Sequence, residues 1–249
     1  MGRGIIYGMS DTHETYSWNV RSYECGADGL ATLPSICNYL QETASMHAES
    51  LSFSRTDFEH AGMHETWVLA RLKVEMTRFP AWNEQFSILT YPRGIKRVSA
   101  CRDFVVSDAK GEEIGKATSE WAIIDLKTRS LVPVPSSVAA AANDVRPPVF
   151  GETHSPRPKF GRDVPPTASF DFRALKSDID LNGHVNNVRY IAWLLENAPA
   201  AHSLDIVFRS ETTAGEELRA EAAPADGGGL VHRIYSPSDG RERIVAATF

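Results

Sequence analysis

Cysteine is scarce in this chain of 249 residues. Cys25, Cys37 and Cys101 follow neither a CxxC pattern nor any Cys/His ligand spacing. A zinc site or a disulfide framework is therefore not expected, and buried free thiols are. Positive charge is not in excess either. With 26 Lys and Arg against 32 Asp and Glu, the formal net charge is −6. Broad attraction to nucleic acid or an anionic membrane is not expected, and an acidic partner would need a local basic patch. No apolar run approaches the roughly 20 residues that a helix needs to cross a bilayer. The first residues, "MGRGIIYGMSDTHE", hold no apolar stretch of the kind that directs secretion. No GxSxG motif supplies a serine nucleophile. The expectation is a soluble cytoplasmic protein without metal or cofactor.

What is present is ordinary globular composition, 42% hydrophobic and 23% charged, with proline distributed unevenly. Eight of the fourteen prolines lie between Pro133 and Pro166. Proline fixes φ and removes a backbone donor, so this segment is neither a central strand nor a long helix. It divides the chain into residues 1–135, a linker over 136–166 with a short helix near Ser136 to Asn143, and residues 167–249.

The two parts repeat one order of elements. Before the linker, a strand near Tyr16–Glu24 precedes a helix near Leu33–Ser52, where Leu33, Ile36, Cys37, Leu40 and Ala44 keep the helical period. Four extended segments follow. In "WVLARLKVEM", Val68, Ala70, Leu72, Val74 and Met76 alternate with Arg71, Lys73 and Glu75, the period of a half-buried strand. "FSILTYP", "SACRDFVVSD" and "IGKATSEWAIIDL" continue the set, and "DAKGEE" marks a hairpin turn. After the linker come a strand near Ala168–Phe172, a helix near Asn187–Asn197, and "SLDIVFRS", "ELRAEAAP", "GLVHRIYS" and "RIVAATF". One helix against one antiparallel sheet buries one face of each. The fold class is α+β, a helix wrapped by a curved sheet in the hotdog arrangement. Two tandem copies make a double hotdog, an internal pseudo-dimer.

The second helix is preceded by an unusual polar cluster, "SDIDLNGHVNN". Asn186 or Asn187 can cap the helix, and Asp180 favours its positive end. Capping gives no reason for Asn182 or His184. In an extended loop, two-residue spacing would turn Asp180, Asn182 and His184 the same way. Imidazole shuttles protons near neutrality, a carboxylate orients it or activates water, and an amide with helix N–H groups stabilises an oxyanion. These are the parts for acyl transfer to water.

"SDIDLNGHVNNVRYIAWLLE" resembles the catalytic segment of the acyl-acyl carrier protein thioesterases. The resemblance extends to "VRSYECGADGLATLPSICNYLQETASMHAESL", "RFPAWNEQFSILTYP", "CRDFVVSDAKGEEIGKATSEWAIIDLKTRSLVPVP" and "LDIVFRSET". It covers most of Val20–Val134 and Ser177–Glu217. It implies hydrolysis of fatty acyl-carrier-protein thioesters, with the family's catalytic Asp, Asn, His and Glu falling on Asp180, Asn182, His184 and Glu211. The family often has Cys after this Glu, whereas this chain has Thr212. Gly183 replaces a Gln common in plant members.

Aligning Glu42 with Glu196 sets His184 opposite Leu30, so one active site per chain is expected, built by the second half. The first half is then free to form the acyl-chain pocket, with Leu40, Met46, Trp67 and Leu69 as candidate linings. Acyl carrier protein is acidic, and Arg93, Lys96 and Arg97 in "RGIKR" with Lys127 and Arg129 in "KTR" are candidates for docking it. The alternatives are an acyl-CoA thioesterase of the hotdog group and a non-catalytic acyl-binding module. The pseudo-dimer allows a monomer or a homodimer.

Overall fold

The computed structural model describes residues 12–96, 98–142, 146–151, 156–161, 163–198 and 200–249. The first part contains β1 (Glu14–Asn19), α1 (Leu33–Ser50), α2 (Arg55–His60), β2 (Glu65–Met76), β3 (Gln85–Lys96), β4 (Ser99–Asp108), β5 (Glu113–Asp125) and the short β6 (Leu131–Val132). After α3 (Ser136–Ala141) the second part follows, with β7 (Ala168–Arg173), α4 (Asn187–Leu195), β8 (Ser203–Phe208), β9 (Glu217–Pro224), β10 (Leu230–Tyr235) and β11 (Glu242–Thr248).

The strands form one antiparallel sheet in the order β1-β3-β4-β5-β2-β8-β11-β10-β9-β7, with β6 added to β5. Each half repeats the same internal order, so β1, β3, β4, β5 and β2 correspond to β7, β9, β10, β11 and β8. The registers repeat as well, Tyr16 opposite Ile88 in one half and Phe170 opposite Ala220 in the other. The twin strands β2 and β8 pair antiparallel and join the halves. This is the double hotdog.

Each helix buries its apolar stripe on the sheet. Ile36, Leu40 and Ala44 of α1 share one core with Ile191 and Leu194 of α4, Leu72 and Val74 of β2, and Leu204 and Ile206 of β8. Each such Ile, Leu or Val side chain contributes about 1.5–3 kcal/mol when fully removed from water. The first helix starts at Leu33 and Pro34 behind a Thr32 cap; the second is nine residues long behind Asn186.

Alternation in β2 breaks at a bulge. Register shifts between Leu69 and Arg71, so Leu72, Val74 and Met76 face the core as the pattern requires, but Leu69 replaces Val68 and Ala70. Arg71 is buried and forks onto Asp205 of β8, Nε to Oδ1 at 2.8 Å and Nη2 to Oδ2 at 2.5 Å. A charge pair thus sits on the joint between the halves. The proline-rich linker covers the sheet face opposite the helices. Phe160 packs on Ala223 and Val245, Arg157 reaches Glu120 at 2.8 Å, and the Pro156 carbonyl accepts from Arg71. The first strand ends at Asn19, earlier than the sequence pattern suggests, because Ser22–Glu24 turn into a single 3₁₀ turn.

Candidate active site

The segments leading into α1 and α4 have the same backbone. Each begins with a 3₁₀ turn, Ser22–Glu24 or Lys176–Asp178. Gly26 N–H donates to the Leu30 carbonyl, and Asp180 N–H to that of His184, both at 2.9 Å. Gly29 N–H donates to Gly26 and Gly183 N–H to Asp180, both at 3.0 Å. Gly29 and Gly183 sit at φ +78° and +81°, the left-handed region that glycine occupies without a Cβ clash. The caps Thr32 and Asn186 are equivalent; each donates its N–H back to Glu24 or Asp178.

This turn corrects one premise of the sequence reading. Residues 180–184 are a tight turn, not an extended run, so two-residue spacing does not align the three side chains. Asp180 Oδ1 accepts the N–H of Asn182 at 2.7 Å, and Asp180 lines a groove between the starts of α1 and α4 with Asn38, Asp178 and Arg189. Asn182 is exposed, and its Oδ1 accepts from Arg55 Nη1 at 2.9 Å. That bond leaves its Nδ2 as a free-facing donor. His184 turns towards Glu211, with Nε2 to Oε2 at 3.1 Å.

Glu211 is brought there by backbone. Val185 N–H donates to the Thr212 carbonyl at 3.0 Å, so the residues bearing the imidazole and the carboxylate flank one main-chain bond. Arg129, in the turn between β5 and β6, also reaches Glu211 Oε2. Thr212 itself is fully buried, whereas Glu211 beside it is exposed. The twin geometry is complete in the first half, where Ala31 N–H donates to Pro80 at 2.8 Å. There the positions of Asp180, Asn182, His184 and Glu211 are held by Gly26, Asp28, Leu30 and Phe79.

An apolar cavity of about 90 Å³ lies in the first half under the C-terminal part of α1, lined by Ala44, Ala48, Phe53, Trp67 and Trp121. Arg102 adds a cation to its wall. Its Nη1 meets His47 Nδ1 at 2.5 Å and Thr90 Oγ1 at 3.1 Å, and burial pushes the guanidinium down to about 10. One segment carries contacts to both the cavity and the polar loop. The Phe53 carbonyl accepts the Trp67 indole at 2.8 Å, and Arg55, two residues on, reaches Asn182. Asn187 Nδ2 donates to Gln41 Oε1 at 3.2 Å, tying α4 to α1.

Of the four candidate pocket residues, Trp67 alone lines this cavity. Leu40 and Leu69 are packed in the core. Met46 is 38% exposed, because it lies one residue's rotation off the buried stripe that ends at His47. Of the docking candidates, Arg93 is committed to the buried Asp103, Nε to Oδ1 at 3.1 Å, and Arg129 to Glu211. Lys127 is exposed. The Lys96 side chain and Arg97 lie outside the described residues. Sequence reasoning missed Arg55, although "SRTD" carries the signal. Ser54 and Asp57 form a capping box, the pattern that announces a helix start.

Among the described residues no helix is long and apolar enough to cross a membrane, and no group of three or more His, Cys, Asp or Glu is placed to hold a metal ion.

The chain matches the family models of the acyl-ACP thioesterase N-terminal domain over residues 11–142 and C-terminal domain over residues 166–243. It is 35% identical over 204 residues to oleoyl-acyl carrier protein thioesterase 2 of Arabidopsis thaliana, covering 76% of this chain and 56% of the relative. It is 31% identical to a palmitoyl-acyl carrier protein thioesterase of Cuphea hookeriana, covering 74% and 46%. It thus spans about half the length of these curated relatives. The structure is similar to an acyl-ACP thioesterase from Bacteroides thetaiotaomicron, with TM-score 0.84, 26% identity and coverage of 97% and 99%. It shares the fold of the 12:0-ACP thioesterase from Umbellularia californica, with TM-score 0.80, 24% identity and coverage of 97% and 98%. Two family models that together span most of the chain leave one conclusion: the protein belongs to the acyl-ACP thioesterase family.

Proposed function

We propose that the protein hydrolyses the thioester of fatty acyl-acyl carrier protein, releasing the free fatty acid. The observation that carries this reading is the His184–Glu211 pair at 3.1 Å, on the turn that leads into α4. In this reading residues 1–135 hold the acyl chain, 136–166 are the linker and 167–249 carry the catalytic residues.

Water attacks the thioester carbonyl carbon. Its oxygen forms the new C–O bond and its proton passes to Glu211. The C–S bond breaks, and His184 delivers a proton to the departing sulfur. Asn182 Nδ2 and the N–H groups at the α4 N-terminus polarise the carbonyl oxygen as charge develops. Glu211 suits the base role better than Asp180, whose carboxylate is engaged by its own turn. Asp180 then shapes the loop that presents Asn182 and His184. The competing route is carboxylate attack to give an anhydride, and label appearing in an enzyme carboxylate after one turnover in ¹⁸O water would overturn direct water attack.

The experiment is thiol release from acyl-ACP and acyl-CoA across a series of chain lengths. Faster turnover of the carrier-protein substrate supports the proposal. Preference for acyl-CoA turns the assignment to the CoA group, and no release from any substrate turns it to an acyl-binding module. Among the described candidates carrier docking falls to Lys127, since Arg93 and Arg129 have internal partners; Lys96 and Arg97 remain candidates.

A further inference from the structure

The polar centre belongs to the second half, yet two of its groups are held by arginines of the first. Arg55 of α2 donates to Asn182, and Arg129 of the β5–β6 turn reaches Glu211. We propose that Arg129 is a positioning residue for the reaction, and that with Arg55 it makes the centre a composite of both halves. This rests on the thioesterase reading above.

Three observations carry it. First, Arg129 and His184 meet the same oxygen, Oε2 of Glu211. The carboxylate is therefore fixed through one oxygen, and Oε1 is left without a protein partner among the described residues, available to the attacking water. Second, the turn that delivers Arg129 is built rigidly. Asp125 Oδ1 accepts the N–H groups of Lys127 and Thr128 at 2.9 and 2.6 Å and the Thr128 hydroxyl at 3.0 Å. These bonds, led by that to Thr128 N–H, hold the Asp125 carboxyl below its ordinary range. Arg129 N–H closes the turn on the Asp125 carbonyl at 2.8 Å. Third, Arg129 adopts φ +58°, a left-handed backbone that costs a side-chain-bearing residue energy. Its ion pair is about two-fifths exposed on both sides, and an exposed pair returns little stability. Strain in the turn and a weak pair together make poor sense as stabilisation. They make good sense as placement of a carboxylate that must not swing away from His184.

Arg55 does the same for Asn182. A guanidinium N–H on Oδ1 fixes the amide with its NH₂ group outward, the orientation that an electrophilic role needs.

The test compares wild type, Arg129→Ala, Arg129→Lys, Glu211→Ala and the Arg129→Ala/Glu211→Ala double variant on acyl-ACP and acyl-CoA of one chain length. Melting temperatures check that each is folded. Arg129→Ala is expected to lower kcat about 10- to 100-fold on both carriers, with KM little changed. Arg129→Lys should recover part of the loss, and the double variant should be no slower than Glu211→Ala alone. Loss confined to KM for acyl-ACP would make Arg129 a docking residue and overturn the inference, as would an unchanged kcat or full additivity with Glu211→Ala. A wild type that releases no thiol overturns the thioesterase reading and this role together. A wild type that turns over beside an equally fast Arg129→Ala overturns this role alone.

Discussion

The turns at Gly26–Leu30 and Asp180–His184 have matching hydrogen bonds, matching glycines and matching helix caps, but different side chains. One carries Leu30, with Phe79 at the position equivalent to Glu211; the other presents His184 beside Glu211. Geometry that is repeated without its chemistry shows what the backbone is for. It feeds a chain into a helix that lies on a sheet, and this holds in both halves. The polar groups are an addition to a scaffold whose backbone the first half repeats without them.

The largest expected effect comes from breaking that contrast at its chemical end. His184→Ala should reduce thiol release by about 10²- to 10⁴-fold, the usual worth of a positioned proton donor, while Leu30→Ala at the twin position should leave kcat within about two-fold of wild type. Steady-state kinetics on both variants checks this; equal losses would mean that the two loops are not functionally distinct.

A second, smaller contrast is in the sheet. His232 of β10 stands where the repeat puts Phe104 in β4. It is 1% exposed, its Nε2 meets Thr248 Oγ1 at 2.8 Å, and burial pushes its pKa down from 6.5 to about 4. The unfolded chain therefore binds a proton, as pH falls below about 6.5, that the folded chain refuses until about 4. Stability is fully present above the higher value and is lost as pH falls through that window, by up to about 3 kcal/mol. Urea unfolding between pH 7 and 4 should show this slope, and His232→Gln should flatten it.

The smallest contrast is at the glycines. A Cβ at Gly29 or Gly183 meets nothing within 4 Å, so Gly29→Ala and Gly183→Ala should each cost about 1 kcal/mol through backbone strain alone. Chemical denaturation should find the two equal. Only Gly183→Ala should also lower kcat, because the turn it strains ends at His184.

Much of this arrangement is legible in the sequence, and the limits are physical. Period-2 and period-3.6 patterns with the proline cluster give the two halves, and the element order gives the repeat. The bulge at Ala70 is not legible, because an apolar–polar alternation reads the same whether or not one residue is looped out. The joining of the halves through β2 and β8 escapes notice because strand partners are chosen by surfaces, not by local composition. His184 stands out as more than a helix cap. Glu211, 27 positions on, does not: its approach depends on one bond from Val185 N–H to the Thr212 carbonyl, and the family resemblance alone points to it. Met46 misleads because an apolar residue type says nothing of which way its helix is turned. Arg129 misleads in the opposite way, as a surface cation whose partner lies in the other half.

That Val185–Thr212 bond has a consequence for how the protein is lost to heat. The two groups proposed to do the chemistry ride on residues adjacent to a single main-chain link between the helix-leading turn and the strand end. Opening that link separates both at once. Inactivation should therefore be abrupt, with molecules either fully competent or silent, and without a population that retains half a reaction centre and reacts slowly.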